Sequence, residues 1–303
     1  IIKMNKKNIL KYWLFFFIII SSSYSSCSQT QDFKFFVPIN RYEVKAKKKL
    51  TQNDKFQNYK YFGNYYIDRA KKGIVNYSNV DEGLSKLIPN QKESTYLCVN
   101  IENKLYRNVR DLREDNHDFK QSLNDLIDLL KYIKQKRPNL KVGLYGVPYN
   151  FYYAIHKKRN SDKFLPLLKA ADFISPHLYI HYPDKQKGQN ANLNYLKENL
   201  QIALEYGKKL KKPVIPYVWY IVHPANKIYG GELITKPEML AYLNAIQSYS
   251  HCGEKVKGVI WWEPSTTKYT VPKQFKGKIK SDMTKEEILL NYTEPFLNKK
   301  NKQ

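Results

Sequence analysis

The stretch "YLCVNIEN" (Tyr96–Asn103) and the two segments that follow it decide the fold of this chain. The stretch opens with the short apolar run of a buried strand. A helix is predicted over Asp118–Arg137, where apolar residues recur on one face. A second apolar run, "KVGLYGVP" (Lys141–Pro148), is the next predicted strand. A strand, a helix and a strand in this order form a βαβ unit, so the two strands are expected to lie parallel in one sheet.

The same alternation extends along most of the chain. Further strands are predicted at Phe33–Ile39, Gly73–Ser78, Asp172–Ile180, Val214–Val222 and Lys257–Pro264. Further helices are predicted at Asn53–Lys72, Asp81–Ile88, Lys163–Ala171, Leu193–Leu210, Pro237–Ser250 and Lys285–Leu297. No strand is followed by a Gly-rich phosphate loop, so a nucleotide-binding sheet is not indicated. The pattern predicts an α/β fold, a seven-stranded TIM-like (β/α) barrel that forms a single domain over residues 33–303.

The N-terminus has the pattern of an export signal. Basic residues precede the apolar run "YWLFFFIII" (Tyr12–Ile20), and a small-residue segment ends at Cys27. The apolar run is too short to span a membrane. We therefore predict a signal peptide of the lipoprotein type over residues 1–26, lipidation of Cys27 and a tether over residues 27–32; cleavage near Ser26 without lipidation is the alternative. The expected location is the cell surface or periplasm of a bacterium, or otherwise the secreted fraction.

The charge of the chain favours an anionic partner. Lysine and arginine number 52 against 27 acidic residues, which gives a net charge of +25. The basic residues are spread along the chain without a zinc-finger, RNP or basic-zipper pattern, so nucleic acid is not predicted as a partner. An acidic polysaccharide suits the charge better. We expect a monomer that touches the membrane only through the lipid at Cys27.

The C-terminal ends of the predicted strands carry aromatic rings and carboxylates. The functional site of a (β/α) barrel lies at these ends. The residues predicted there are Asn100, Glu102, Tyr145, Tyr149, Tyr179, His181, Tyr217, Trp219, Tyr220, Trp261, Trp262 and Glu263. Rings stack on sugar faces and carboxylic acids protonate glycosidic oxygens, so the set indicates a carbohydrate site. Taken singly, each aromatic is equally well explained as core, because alternate residues of a strand face outward.

Two histidines share a strand face with an aromatic residue. His177, Tyr179 and His181 alternate along the predicted fifth strand, a spacing that could hold a metal. No carboxylate joins them, so we favour histidines that form hydrogen bonds near a sugar and expect neither metal nor cofactor.

Four segments resemble, in order, the hyaluronidases of the bee-venom and mammalian type. The segments are "VGLYGVPYN" (Val142–Asn150), "FLPLLKAADFISPHLYI" (Phe164–Ile180), "KKPVIPYVWYIV" (Lys211–Val222) and "VKGVIWWEPS" (Val256–Ser265). That family consists of secreted barrel glycosidases with about seven strands. The resemblance covers about half of the chain, from the third strand to the last.

The resemblance implies roles for residues at the strand ends. The family's catalytic strand ends in Asp-x-Glu, where the Glu protonates the leaving oxygen and the Asp stabilises a cyclic intermediate formed by the substrate's own acetamido group. Here Glu102 matches the acid and Asn100 replaces the Asp. The tyrosine of the family's next strand falls at Tyr149 or at Phe151, depending on the alignment. By the same resemblance, Tyr179, Tyr217 and Trp262 match family residues that line the sugar site.

The amide at Asn100 leaves several functions open. An amide accepts a hydrogen bond from an acetamido N–H but carries no charge to stabilise an oxazolinium ion. Activity is then reduced, or the substrate is not an N-acetylhexosaminide, or a second carboxylate takes over. Glu263 is the candidate, with a polar strand end as its alternative explanation. The sequence predicts a glycoside hydrolase with Glu102 as general acid; a glycan-binding lipoprotein without turnover and a structural lipoprotein with an incidental cleft are the rivals.

Overall fold

The computed structural model describes residues 32–153, 162–263 and 283–297. Its strands are β1 (Lys34–Val37), β2 (Phe56–Gly63), β3 (Tyr96–Asn100), β4 (Lys141–Tyr145), β5 (Phe173–Ser175), β6 (Tyr217–Val218), β7 (Ser250–His251), β8 (Glu254–Lys255) and β9 (Gly258–Trp261). Its α-helices are α1 (Val44–Gln52), α2 (Tyr77–Leu87), α3 (Lys104–Asp111), α4 (His117–Lys136), α5 (Leu165–Ala170), α6 (Asp184–Lys187), α7 (Gln189–Leu210), α8 (Lys236–Ser248) and α9 (Lys285–Leu297). The predicted signal peptide and Cys27 lie outside the described residues.

Seven parallel strands form a nearly closed barrel, as predicted. The sheet order is β5-β4-β3-β2-β1-β9-β6. Parallel bridges between Ile174 and Val214 and between His177 and Tyr217 join its two edges. Strands β7 and β8 form a separate antiparallel hairpin. The C-terminal ends of the barrel strands therefore surround one mouth.

Two groups of buried side chains fill the molecule. The larger group lies between the strands and the helices, where the strand faces that point outward pack against the helices. The smaller group lies inside the barrel. Its buried members are Phe36, Tyr59, Cys98, Tyr145, Phe173, Tyr179, Ile215, Tyr217 and Ile260. Tyrosines thus fill much of the barrel interior, directly below the mouth.

One predicted strand and one predicted helix are wrong. The segment predicted as helix Asn53–Lys72 contains β2, and the predicted strand Gly73–Ser78 leads into α2 instead. The buried residues of β2 include Phe56, Tyr59 and Phe62, a spacing of three that resembles a helix. A barrel strand is buried on both faces, so the alternation that reveals a strand is not visible in its sequence.

The remaining predicted elements occur, with shorter strands. Asn116 caps the N-terminus of helix α4, and its side chain accepts hydrogen bonds from the main-chain N–H groups of Asp118 and Phe119. Strands β5 and β6 end well before the predicted Ile180 and Val222, because the chain turns into the loops of the mouth. Within the described residues, no helix has the length and apolar character needed to cross a membrane.

Candidate active site

Asn100 and Glu102 lie together at the mouth, where β3 ends. Asn100 is buried and Glu102 is exposed to solvent. The side-chain amide of Asn100 donates hydrogen bonds to the Tyr61 hydroxyl at 3.1 Å and to the Glu102 carboxylate at 3.4 Å. Among the described residues, nothing bonds to the Asn100 Oδ1 atom, which is buried beside them. The strand end therefore presents an accessible carboxylate beside an amide oxygen that is free to accept a hydrogen bond.

The turn after Glu102 is fixed by a buried polar network. The Asn103 side chain caps α3 by accepting a hydrogen bond from the Leu105 N–H at 2.9 Å, and its amide donates to Asp68 at 2.7 Å. Asp68 also accepts from the main-chain N–H groups of Lys72 and Gly73. Glu102 is thus held between the end of a strand and the capped start of a helix.

Four tyrosines surround Glu102. Burial is the main cause that raises the pKa of Tyr61, to about 12, and the negative charge of Glu102 adds to the effect. Burial and the charge of Glu102 likewise raise the pKa values of Tyr106, Tyr145 and Tyr179. All four phenols stay protonated at neutral pH. Each of them is therefore a neutral hydroxyl group that the charge of Glu102 reaches.

Tyr106 reaches this site from helix α3. Its hydroxyl donates to the main-chain oxygen of Gly146 at 3.2 Å. Gly146 has φ +75°, and a Cβ atom there would lie 2.5 Å from the Tyr106 hydroxyl. The turn after β4 therefore requires glycine, both for its backbone conformation and for the approach of Tyr106.

The predicted substrate-binding residues fall into three groups. Trp219 and Trp262 are half-buried beside the barrel interior, where a ligand in the mouth could touch them. Tyr145, Tyr179 and Tyr217 are buried in the barrel interior and form its aromatic lining. The third group is Tyr149 alone, which packs outside the barrel, edge-on to the rings of Tyr106 at 5.1 Å and Phe164 at 5.0 Å. The other alignment candidate, Phe151, is also buried in the outer core.

Glu263 lies on the opposite face of its strand from Trp262. Successive strand residues point to opposite faces, and Trp262 points inward. The Glu263 carboxylate accepts hydrogen bonds from the Tyr220 hydroxyl at 3.2 Å, and the Tyr220 ring stacks on Trp261 in the outer core. Burial raises the pKa of Glu263 to about 7, although nearby Lys285 and Arg41 oppose the rise. The Glu263 side chain therefore contacts Tyr220 and the outer core, and its pairing with Glu102 stays a prediction.

Arg41 is a residue of the mouth that the sequence did not indicate. It ends a short 3₁₀ turn after β1, and its guanidinium lies 4.9 Å from the ring centre of Tyr61 and 5.5 Å from that of Trp262. It also donates a hydrogen bond to the main-chain oxygen of Glu263. The position of Arg41 just after a barrel strand was the available signal, because the residues of the mouth follow such strands. Tyr61 was not predicted as a residue of the mouth because its strand, β2, was predicted as a helix.

Three histidines line the opposite side of the mouth. We call His177, His181 and His223 the imidazole cluster. His181 and His223 stack with ring centres 4.3 Å apart, and His177 stacks on Tyr145 at 5.3 Å. Burial is the main cause that lowers the pKa values of His177, to about 3, and His181, to about 4. The cluster is therefore neutral at physiological pH.

The imidazole cluster does not form a metal site with its neighbours. Over the described residues, no three histidine, cysteine or acidic side chains are placed to hold one ion. The Nδ1 atom of His223 accepts a hydrogen bond from the Ala225 N–H at 3.1 Å, so one ring nitrogen of the cluster is already used. Asn150 lies 3.4 Å from His181 Nε2 and also donates to the Tyr195 hydroxyl. These contacts suit rings that form hydrogen bonds and stack.

The strand order and the near closure of the sheet define the fold class: a seven-stranded α/β barrel like that of hyaluronidase. Two crystal structures of bee venom hyaluronidase match the chain with TM-scores of 0.55, one of them a complex with a hyaluronic acid tetramer. The sequence identities are 15% and 16%, over 77% of this chain and 91% of the hyaluronidase chain. At this identity the likeness establishes the fold.

The other comparisons add no family. A GH18 chitinase from Pseudoalteromonas aurantia matches at a TM-score of 0.42 and 14% identity, over 73% of this chain and 75% of the chitinase chain. No protein-family model and no curated protein matches the sequence.

Proposed function

We propose that the protein is a glycoside hydrolase that acts on a polysaccharide, with Glu102 as the general acid. The observation that carries the proposal is the exposed Glu102 carboxylate at the C-terminal end of a barrel strand, hydrogen-bonded to Asn100 and surrounded by protonated tyrosines. Protonated Glu102 gives its proton to the glycosidic oxygen as the bond to the anomeric carbon breaks.

Asn100 is proposed to hold an acetamido group of the substrate. Its Oδ1 atom is buried without a partner among the described residues, so it can accept the hydrogen bond of an acetamido N–H. The carbonyl oxygen of that group would attack the anomeric carbon and form a cyclic oxazolinium ion. Water then opens the ring and returns a proton to the Glu102 carboxylate, which restores the acid.

The test measures hydrolysis and binding separately. Purified protein is assayed for new reducing ends on a panel that includes hyaluronan and chitin oligosaccharides. We expect Glu102→Gln to lower turnover about 10²–10⁴-fold while oligosaccharide binding is retained. Glu198→Gln is the matched control, since Glu198 is exposed on α7, away from the mouth. Full activity in Glu102→Gln, or no product from any glycan, would contradict the hydrolase.

The second candidate is a glycan-binding protein in which catalysis is impaired. The specific observation in its favour is the charge around the reaction centre. Asn100 is neutral where the resembled family has an acid. The Arg41 cation lies against the ring of Tyr61, and the Tyr61 hydroxyl accepts a hydrogen bond from the Asn100 amide. A positive environment opposes an oxazolinium ion. This candidate predicts binding without turnover, with or without Glu102→Gln.

We further propose that the protein is exported and lipidated at Cys27 in a bacterium. The proposal rests on the sequence pattern alone: a basic segment, an apolar run and a cysteine after small residues. Metabolic labelling with a fatty acid tests it. The wild-type protein should carry the label in the membrane fraction, whereas Cys27→Ala should lose it. An unlabelled wild-type protein would overturn the proposal.

A further inference from the structure

A cationic groove begins at the mouth and continues outside the barrel. It has a volume of about 940 Å³, within the range of sites that hold ligands of several rings. Its lining includes Arg41 and Tyr61, which also belong to the mouth. From there it extends along α1 and the outer face of β2 as far as Leu87, at the end of α2. A ligand that fills the groove therefore passes beside the proposed catalytic centre.

The charge of the groove is strongly positive. Arg41, Lys45, Lys47 and Lys60 line it together with one carboxylate, Glu43. Lys60 lies 3.9 Å from Glu93, a distant ion pair. Over the described residues, no carboxylate forms an ion pair with the other three cations. A concave surface on which positive charges prevail concentrates anions and binds them.

Aromatic rings accompany these charges. Tyr61 forms the end of the groove at the mouth, and Tyr65, 57% exposed, lies further along it. The guanidinium of Arg41 lies beside the rings of Tyr61 and Trp262, which also contact each other, so the cation is placed at the junction of mouth and groove. Rings and fixed cations together match a polymer that has both flat apolar faces and negative charges, such as a chain of sugars that carry carboxylates.

We infer that this groove is an accessory binding site for the carboxylate-bearing part of a glycan whose neighbouring residue occupies the mouth. The inference rests on the proposed function. Lys45 and Lys47 bind carboxylates of the glycan along α1, and Arg41 binds the one nearest the catalytic centre. The site lies on the outside of the barrel, so it sets affinity and selects charged substrates without touching the bond that is cleaved.

The experiment compares two double variants of one helix. Lys45→Ala/Lys47→Ala removes two cations that line the groove. Lys48→Ala/Lys49→Ala removes the same charge from the same helix, at residues that do not line it. Both are made in a Glu102→Gln background, so that no ligand is consumed. The ligands are a hyaluronan oligosaccharide and the same oligosaccharide with its carboxylates reduced to alcohols.

We expect the groove variant to bind the hyaluronan oligosaccharide about three- to tenfold more weakly, because each exposed ionic contact contributes modestly. Its affinity should also depend less on salt. The reduced oligosaccharide should bind both double variants and the parent equally. Equal losses in the two double variants, or equal affinity of the parent for both ligands, would overturn the inference.

A further ligand tests the nature of the anion. If an RNA oligonucleotide binds the parent more tightly than hyaluronan and loses affinity only in the groove variant, the groove serves nucleic acid and the inference fails. Because binding is measured in Glu102→Gln, these results stand apart from hydrolysis. An inactive wild-type protein with a carboxylate-selective groove would defeat the proposed hydrolase and leave the accessory site.

Discussion

The two sides of the mouth differ in charge. The side formed by β1, β2 and β3 carries Arg41, Tyr61, Asn100 and Glu102, which are linked by hydrogen bonds and a cation–ring contact. The side formed by β5 and β6 presents the imidazole cluster with Tyr179 and Trp219, where ring contacts dominate. One side can transfer a proton and bind an anion, whereas the other offers faces to a neutral ring.

The difference has a structural origin. The first side gains its charge from chain segments that follow β1 and β3, where short polar turns lead directly into helices. On the second side the chain continues beyond β5 and β6 in extended loops, and the His223 N–H donates to the main-chain oxygen of Ile180 at 2.7 Å. Those loops bring their rings into mutual contact, and burial keeps the imidazoles neutral.

The largest expected effect concerns Glu263, the buried carboxylic acid beneath the charged side of the mouth. Glu263 lies behind Arg41, and burial raises its pKa from 4.5 to about 7. The folded state therefore holds a proton that the unfolded state releases between these pH values. Stability should be greatest below pH 4.5 with respect to this group and fall as the pH rises to 7, by up to about 3 kcal/mol.

Glu263→Gln removes this titration. The variant should lose the decline in its free energy of unfolding between pH 4.5 and 7 and be the more stable protein at pH 8. Urea denaturation at several pH values measures both. Parallel pH dependence in the two proteins would show that Glu263 is ionised in the folded state and that Arg41 and Lys285 compensate its charge.

The second effect concerns the neutral side. Trp219 is half-buried and its ring contacts Tyr179 at 5.5 Å. We expect Trp219→Ala to weaken binding of a neutral chitin oligosaccharide about ten- to hundredfold, because large rings dominate such contacts. The loss should be the same at low and high salt. Trp219→Phe keeps a ring and should retain most of the affinity; a salt-dependent loss would contradict the assignment of neutral stacking to this side.

The charged side was harder to predict from the sequence than the neutral side. The barrel, Glu102 and the ring-bearing ends of β5 and β6 follow from strands that read clearly as apolar runs. Tyr61 did not, because β2 is buried on both faces and its spacing resembles a helix. A cation beside two rings arises from packing between β1, β2 and β9, which a linear pattern does not record.

The sequence also could not predict which face of the barrel a side chain at a strand end points to. Trp262 and Glu263 are adjacent, so a shift of one residue exchanges which of them enters the mouth. Only the register of β9 against β1 and β6 decides this. Polar identity alone favoured Glu263 as a second carboxylate of the mouth, whereas its contacts are with Tyr220 and the outer core.

The third effect concerns the amide of the charged side. Asn100→Asp places a second carboxylate beside Glu102 and opposes its ionisation. We expect the alkaline limb of the profile of kcat/KM against pH to move upward by about one unit. An unchanged limb would mean that Arg41 neutralises the new charge. Asn100→Ser is the control, since it shortens the side chain without adding charge.

The turnover of Asn100→Asp also distinguishes the two candidate functions. Higher turnover than in the natural protein would favour impaired catalysis in the natural protein, and lower turnover would favour a native role for the amide.

The smallest effect concerns charge within the imidazole cluster. His181 and His223 stack at 4.3 Å, and burial first, then the nearby His223, lowers the pKa of His181 to about 4. His223→Asn removes the second cause and should raise the pKa of His181 by less than one unit, because burial remains. Titration of the ring protons by NMR measures the shift. Binding of a neutral oligosaccharide should stay constant between pH 5 and 8 in the wild-type protein, since burial lowers the pKa values of all three imidazoles of the cluster. A histidine that titrates near pH 6.5 would place charge on this side as well, and the two sides of the mouth would then differ in geometry rather than in charge.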